Sequence, residues 1–127
     1  MKHLLIIDDD PVSVLILKKM LYNANFTEKP VVFNNGNEAL DFFSKNYKFT
    51  DAYCVFLDIN MPVMNGWEFL ESIQTSIHTN NFMVYLLTSS TSEQEKSKSK
   101  DYQCIKKFIS KPISKEILSE IKAELSM

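Results

Sequence analysis

The chain has 127 residues, 45% hydrophobic and 24% charged, and its 14 lysines face 16 acidic residues for a formal net charge of -2. Such a balance fits one globular domain, 1–127, with a core that needs no disulfide or zinc staple. Arginine is absent and glycine occurs only at Gly36 and Gly66, which argues against sequence-specific DNA binding and excludes both the P-loop and the dinucleotide fingerprint.

The elements alternate from the first residues. Leu4–Ile7 is a short apolar run, read as a buried strand. Asp10-Pro11 predicts a helix start, with a carboxylate N-cap and proline at the first helical position. Val12, Leu15, Ile16, Met20 and Leu21 follow at helical spacing to about Asn25. Pro30–Phe33 is a second strand, and Asn34-Asn35-Gly36-Asn37 turns into a helix carrying Ala39, Leu40, Phe42 and Phe43. Tyr53–Leu57 is a third strand that stops at Asp58. A loop with Met61-Pro62 and Asn65-Gly66 leads into a helix bearing Trp67, Phe69, Leu70 and Ile73, with Trp67 as core or partly exposed helix surface. Phe82–Leu87 is a fourth strand ending at Thr88, and the lysine-rich stretch Ser92–Asp101 reads as a weakly amphipathic helix. Lys106–Ile109 is a fifth strand and Ile113–Leu125 a final helix.

Five βα units with strands apolar throughout predict an α/β domain with a doubly wound, five-stranded parallel sheet, most simply in the flavodoxin-like order 2-1-3-4-5. No output domain is expected beside it. The N-terminus has too short an apolar run for a signal peptide, and no run approaches a membrane helix, so a soluble, cytoplasmic protein is expected. Cys54 and Cys104 sit among apolar residues and read as reduced core fillers. His3 and His78 lack companions at metal spacing, which argues against zinc.

In such sheets the working crevice lies at the carboxyl ends of the strands. There the first strand delivers Asp8 and Asp9, the third Asp58, the fourth Thr88 with Ser89 and Ser90, and the fifth Lys111 followed by Pro112. Clustered carboxylates repel one another, and a hard divalent cation with oxygen ligands is the usual compensation. Magnesium leaves coordination positions for a phosphoryl oxygen, while Lys111 and Thr88 are suited to neutralising and hydrogen-bonding the same group. One carboxylate would then be the nucleophile. Taken singly, Asp8 and Asp9 read as helix caps, Asp58 as a turn residue before Met61-Pro62, Thr88 as one more strand-end hydroxyl and Lys111 as a solvated lysine. Convergence on one rim sets them apart.

These residues carry a resemblance. Asp8-Asp9, the run LDINMPVMNG from Leu57 to Gly66, LLTSS from Leu86 to Ser90, and Lys111-Pro112 resemble the response-regulator receiver domain of two-component signalling, over essentially the whole chain. The resemblance implies that Asp58 is the phosphoacceptor. It implies that Asp9 ligates Mg2+ directly, that Asp8 acts largely through water, and that Asp58 and the Asn60 carbonyl complete the protein ligands. Thr88 matches the switch hydroxyl, Lys111 the phosphate-pairing lysine and Phe108 the aromatic switch position. Asn60 and Ser90 fall where the family tunes phosphoryl lifetime, and a cis peptide is implied at Lys111-Pro112. The implied partners are a sensor histidine kinase or phosphotransfer protein and an output protein meeting the face of the fourth helix, fifth strand and fifth helix, with no nucleic acid and no membrane. Such a chain phosphorylates and dephosphorylates itself and is not a turnover enzyme.

Two other readings stay open. The order Asp8-x-Asp10, strand-end hydroxyl, lysine is that of a small haloacid-dehalogenase-type phosphatase, with Asp8 as nucleophile and Asp10 as general acid. No acidic pair follows Lys111 on a strand end, Glu116, Glu120 and Glu124 lying four apart along a helix instead, which weighs against it. A phosphorylation-independent, receiver-like binding module is the other. Lys96, Lys98, Lys100, Lys106 and Lys107 outnumber Glu93, Glu95 and Asp101 by two, and read first as a solvated face and second as a patch for an acidic partner.

Overall fold

A computed structural model of the chain describes residues 2–61, 64–77, 81–89 and 93–126. The elements are β1 (Lys2–Ile7), α1 (Pro11–Asn23), β2 (Val31–Phe33), α2 (Gly36–Asn46), β3 (Ala52–Asp58), α3 (Gly66–Ile73), β4 (Phe82–Thr88), α4 (Glu93–Ser99), β5 (Ile105–Ser110) and α5 (Lys115–Ser126). All neighbouring strands pair in parallel, in the order β2-β1-β3-β4-β5, as expected.

The strands read as unbroken apolar runs because successive side chains enter two different cores. Leu5, Ile7, Val55, Leu57, Val84 and Leu86 pack on one face with Ala39 and Phe43 of α2 and Phe69, Leu70 and Ile73 of α3. Leu4, Ile6, Cys54, Phe56, Tyr85 and Leu87 pack on the other with Leu17 and Leu21 of α1 and Leu118 and Ile121 of α5. Cys54 and Cys104 are buried and free of disulfides, and burial raises the pKa of both thiols. No helix among the described residues is long and apolar enough to cross a membrane.

Helix starts are set by local chemistry. The Asp10 carboxylate accepts from Val12 N–H, with Pro11 next to it, and Asn35 accepts from Glu38 N–H. Asn65 and Glu68 form a capping box that begins α3. Each such cap stabilises its helix by about 1 kcal/mol.

The structure corrects part of the expected apolar face of α1. Leu21 is buried and Met20 packs on the core as expected, joined by Leu17 and Val14, but Val12, Leu15 and Ile16 are 63%, 64% and 47% exposed. This helix is apolar on two sides, so periodicity alone could not choose between them. Its cap at Asp10, fixed to the end of β1, sets the rotation. The fourth helix is shorter than expected; Ser92 lies outside the described residues. The fifth begins at Lys115, where the Ser114 hydroxyl oxygen accepts from Ile117 N–H, although Ile113 ahead of it is buried. β4 and β5 shift register between Val84 and Tyr85, and Lys106 has no opposite residue.

Candidate functional site

Four chain segments meet above the carboxyl ends of β1, β3, β4 and β5. The ladder continues past the strands and fixes them: Asp8 N–H donates to Phe33 O at 3.0 Å, and Lys111 N–H to Thr88 O at 2.8 Å. The loop after β3 folds back tightly, with Gly66 N–H donating to Ile59 O at 2.9 Å. A Cβ on Gly66 would lie 2.8 Å from Asp58 O and 2.9 Å from Ile59 Cα. Only glycine lets α3 start this close to the strand end.

Asp8, Asp9 and Asp58 each offer an oxygen, and the three lie within 4.8 Å of one another. Asp8 and Asp58 are 4% and 5% exposed, and Asp9 stands in solvent. Lys111 Nζ lies 3.0 Å from Asp8 Oδ2 and 3.6 Å from Asp58 Oδ1. Asn60 N–H donates to Asp58 Oδ1 at 3.3 Å, and the Asn60 amide donates to Thr88 Oγ1 at 3.4 Å. Thr88 is fully buried. Thus the sequence-predicted residues Asp8, Asp9, Asp58, Asn60, Thr88 and Lys111 are brought to one rim. The peptide at Lys111-Pro112 is cis. Ser90 and Pro62 lie outside the described residues, as does His78, while Ser89 is exposed.

Electrostatics at this rim are unresolved within the protein itself. Burial, and then the charge of Asp8, push the Asp58 carboxyl up to about 6, and Lys111 offsets part of the rise. Burial alone would lower the Lys111 pKa, but its hydrogen bond to Asp8 and the charges of Asp58 and Asp8 prevail, so it stays above the usual lysine value. Three oxygen donors, two of them buried, beside a single ammonium form a hard-ligand set suited to a small divalent cation.

Around the site, Phe108 is half-buried against the α2–α3 side of the sheet. Trp67 is core, stacked on Tyr102 with ring centroids 5.8 Å apart, and Lys98 Nζ lies 4.9 Å from its ring. Tyr102 OH donates to Glu71 Oε1 at 2.6 Å. Lys107 bridges Glu120 and Glu124 of α5 at 3.3 Å each. The lysine cluster is therefore only partly a solvated face: Lys98 and Lys107 are engaged, while Lys96, Lys100 and Lys106 are exposed. Sequence reasoning missed Ser13, whose oxygen lies 3.5 Å from Lys111 Nζ. Its place one turn beyond the cap, three residues after Asp10, was the available signal.

A family profile for the response regulator receiver domain matches residues 4–122. Curated protein sequences give no significant match. Among solved structures, a two component response regulator from Cytophaga hutchinsonii is similar with a TM-score of 0.86 at 22% identity, over 99% of this chain and 97% of that one. The chemotaxis protein CheY4 of Vibrio cholerae gives a TM-score of 0.73 at 24% identity, over 98% of each chain. The N-terminal domain of a response regulator receiver protein from Methanoculleus marisnigri gives 0.68 at 28% identity, over 97% of this chain and 94% of that one. Sharing the fold with the first two, and matched by the profile over nearly its full length, the chain belongs to the response regulator receiver domain family.

Proposed function

We propose that this receiver domain takes a phosphoryl group onto Asp58 from a histidine kinase or phosphotransfer protein and thereby changes its preference for an output protein. The observation that carries the reading is the buried Asp58 carboxylate, flanked by Asp8 and Asp9 within 4.8 Å and by Lys111 at 3.6 Å. Asp8, Asp9 and Asp58, with the Asn60 backbone carbonyl, are the groups that would hold Mg2+. Bound there, the ion supplies positive charge against the carboxylates and against the phosphoryl oxygens.

The chain's own residues do the rest. An Asp58 oxygen forms the new bond to phosphorus as the donor's phosphorus–nitrogen bond breaks, and the donor imidazole leaves with that electron pair. Ionised at neutral pH, Asp58 is ready to attack. Lys111 supports the charge on the transferring group, and the Thr88 hydroxyl, buried one strand away, would donate to the phosphoryl group afterwards. Converting the ionised carboxylate to an acyl phosphate adds about one net negative charge and three strong acceptor oxygens, which re-order these partners. The switching surface would be α4, β5 and α5, with Phe108 between the site and that face. Asn60 and Ser90 are proposed to set phosphoryl lifetime, and the cytoplasm is the compartment that suits a kinase-fed domain.

The phosphatase reading loses its general acid: the Asp10 carboxylate caps α1 and accepts from Ser13, and Asp8 is engaged by Lys111 and by Asp10 N–H. Intact-mass measurement after treatment with acetyl phosphate and Mg2+ tests the proposal. Wild type should gain one phosphoryl mass and Asp58→Asn none. Modification that survives in Asp58→Asn would refute the assignment, and no modification or Mg2+ binding in wild type would leave the phosphorylation-independent module.

A further inference from the structure

The Lys111 ammonium carries three N–H bonds, and three side-chain oxygens surround it. They are Asp8 Oδ2 at 3.0 Å, Ser13 Oγ at 3.5 Å and Asp58 Oδ1 at 3.6 Å. Two belong to carboxylates of the site. The third belongs to the first turn of α1, outside the acidic cluster.

Ser13 is itself fixed. Its hydroxyl hydrogen goes to Asp10 Oδ2 at 3.0 Å, which leaves its lone pairs for the ammonium. Asp10 is fixed in turn, because Oδ1 accepts from Val12 N–H at 3.1 Å and its backbone N–H donates to Asp8 Oδ1 at 2.9 Å. A closed circuit therefore runs from Lys111 through Ser13, Asp10 and Asp8 back to Lys111. It ties the lysine after β5 to the start of α1. Beside it lies a cavity of about 70 Å³ lined by Asp8, Ser13, Ile16, Leu17, Leu87 and Lys111 among others. Packing leaves this space open, so hydrogen bonds decide where the ammonium points.

We propose that Ser13 is a positioning residue for phosphoryl transfer, anchoring Lys111 so that one of its N–H bonds stays aimed at Asp58. The inference rests on Asp58 being the acceptor. A flexible lysine held by two carboxylates alone settles on the nearer, Asp8, and leaves the acceptor side unsupported. The Ser13 oxygen adds the third point that fixes the ammonium's orientation. During transfer from acetyl phosphate, the Asp58 oxygen–phosphorus bond forms as the bond from phosphorus to the acetyl oxygen breaks. Acetate leaves with that electron pair, and Ser13 gives up no proton. Its effect is on alignment, and loss of alignment lowers rate.

The test is the rate of acetyl phosphate labelling with saturating Mg2+, followed by intact mass. Ser13→Ala should slow labelling about 3- to 10-fold, and Ser13→Thr, which keeps the hydroxyl, should stay within about twofold of wild type. Asp10→Asn, which retains the cap but weakens the hold on Ser13, should fall between them. Mg2+ affinity by calorimetry should be the same in Ser13→Ala and wild type, whereas a general disturbance of the acidic pocket would change it. In a Lys111→Met background, Ser13→Ala should produce no further slowing, because its effect passes through the lysine. Full additional slowing in that background, or a folded Ser13→Ala protein labelled at the wild-type rate, overturns the proposal. Asp58→Asn separates the two levels. Labelling that persists there removes the acceptor assignment and this inference with it, while labelling lost there and unchanged in Ser13→Ala removes this inference alone.

Discussion

The two ends of the sheet treat polar groups in opposite ways. At the amino ends of the strands, Asn81 accepts from Tyr47 OH at 2.7 Å, and its amide reaches the carbonyls of Lys48, Phe49 and Asp51 at 3.2, 3.0 and 2.7 Å. Tyr53 OH accepts from Lys48 N–H at 2.9 Å and donates to Asn46 O at 3.3 Å. His3 stacks on Tyr53 and meets Asp51 at 2.8 Å, a hydrogen bond that lowers the Asp51 pKa. Polar atoms there satisfy one another and hold the α2–β3 loop. At the carboxyl ends, carboxylates crowd together and Asp58 has its pKa raised to about 6. One end pairs its polar groups with one another, and the other leaves like charges crowded together.

Removing a polar side chain should therefore move stability in opposite directions at the two ends. The largest effect is expected from Asn81→Ala, which strips a loop of its shared amide. It should cost about 2–3 kcal/mol and lower Tm by roughly 10 °C, yet leave labelling by acetyl phosphate intact in the folded protein. Calorimetry with labelling checks both halves, and loss of labelling without loss of stability would break the division.

Gly66→Ala comes next, because its methyl meets backbone rather than a movable side chain. A loss of about 1–3 kcal/mol is expected, accompanied here by slower labelling because Asp58 itself must shift. Denaturant unfolding and labelling rates should change together.

Asp58→Asn should do the reverse and stabilise the metal-free protein. With its pKa raised from the ordinary 3.8 to about 6, Asp58 takes up a proton in the folded chain before the unfolded one does. Its ionisation thus opposes folding above pH 6, and the penalty fades as pH falls through 6 toward 4. Discounted for the solvent at the mouth of the site, the gain from Asp58→Asn near pH 7.5 is on the order of 1–2 kcal/mol. The difference from wild type should shrink by pH 5. A gap that instead widens on acidification would contradict the crowding of carboxylates.

The smallest effect belongs to Lys98→Met. Removing the cation above Trp67 should alter tryptophan emission while costing only about 0.5 kcal/mol. An unchanged spectrum would show that α4 is not held by this contact.

Much of this arrangement was legible in the chain, for identifiable reasons. Strands with both faces buried are continuous apolar runs, and their ends fall where Asp8, Asp58 and Thr88 interrupt them, so the rim could be assembled from order alone. The face of α1 could not, since Val12, Leu15 and Ile16 form as good a stripe as Leu17, Met20 and Leu21; only docking decides. Asn81 looked like any residue before a strand, because its worth depends on three carbonyls more than 29 positions away. Ser13 and the contact of Lys98 with Trp67 were hidden similarly, in pairings across 98 and 31 positions.

The borders of the sheet have a consequence for how copies of the chain meet. β2, at one border, offers three residues, and β5, at the other, is broken by the register shift around Lys106 and carries two lysines. Neither is a long, smooth template on which another strand could grow, so the strongly apolar β1, β3 and β4 are screened from lateral accretion.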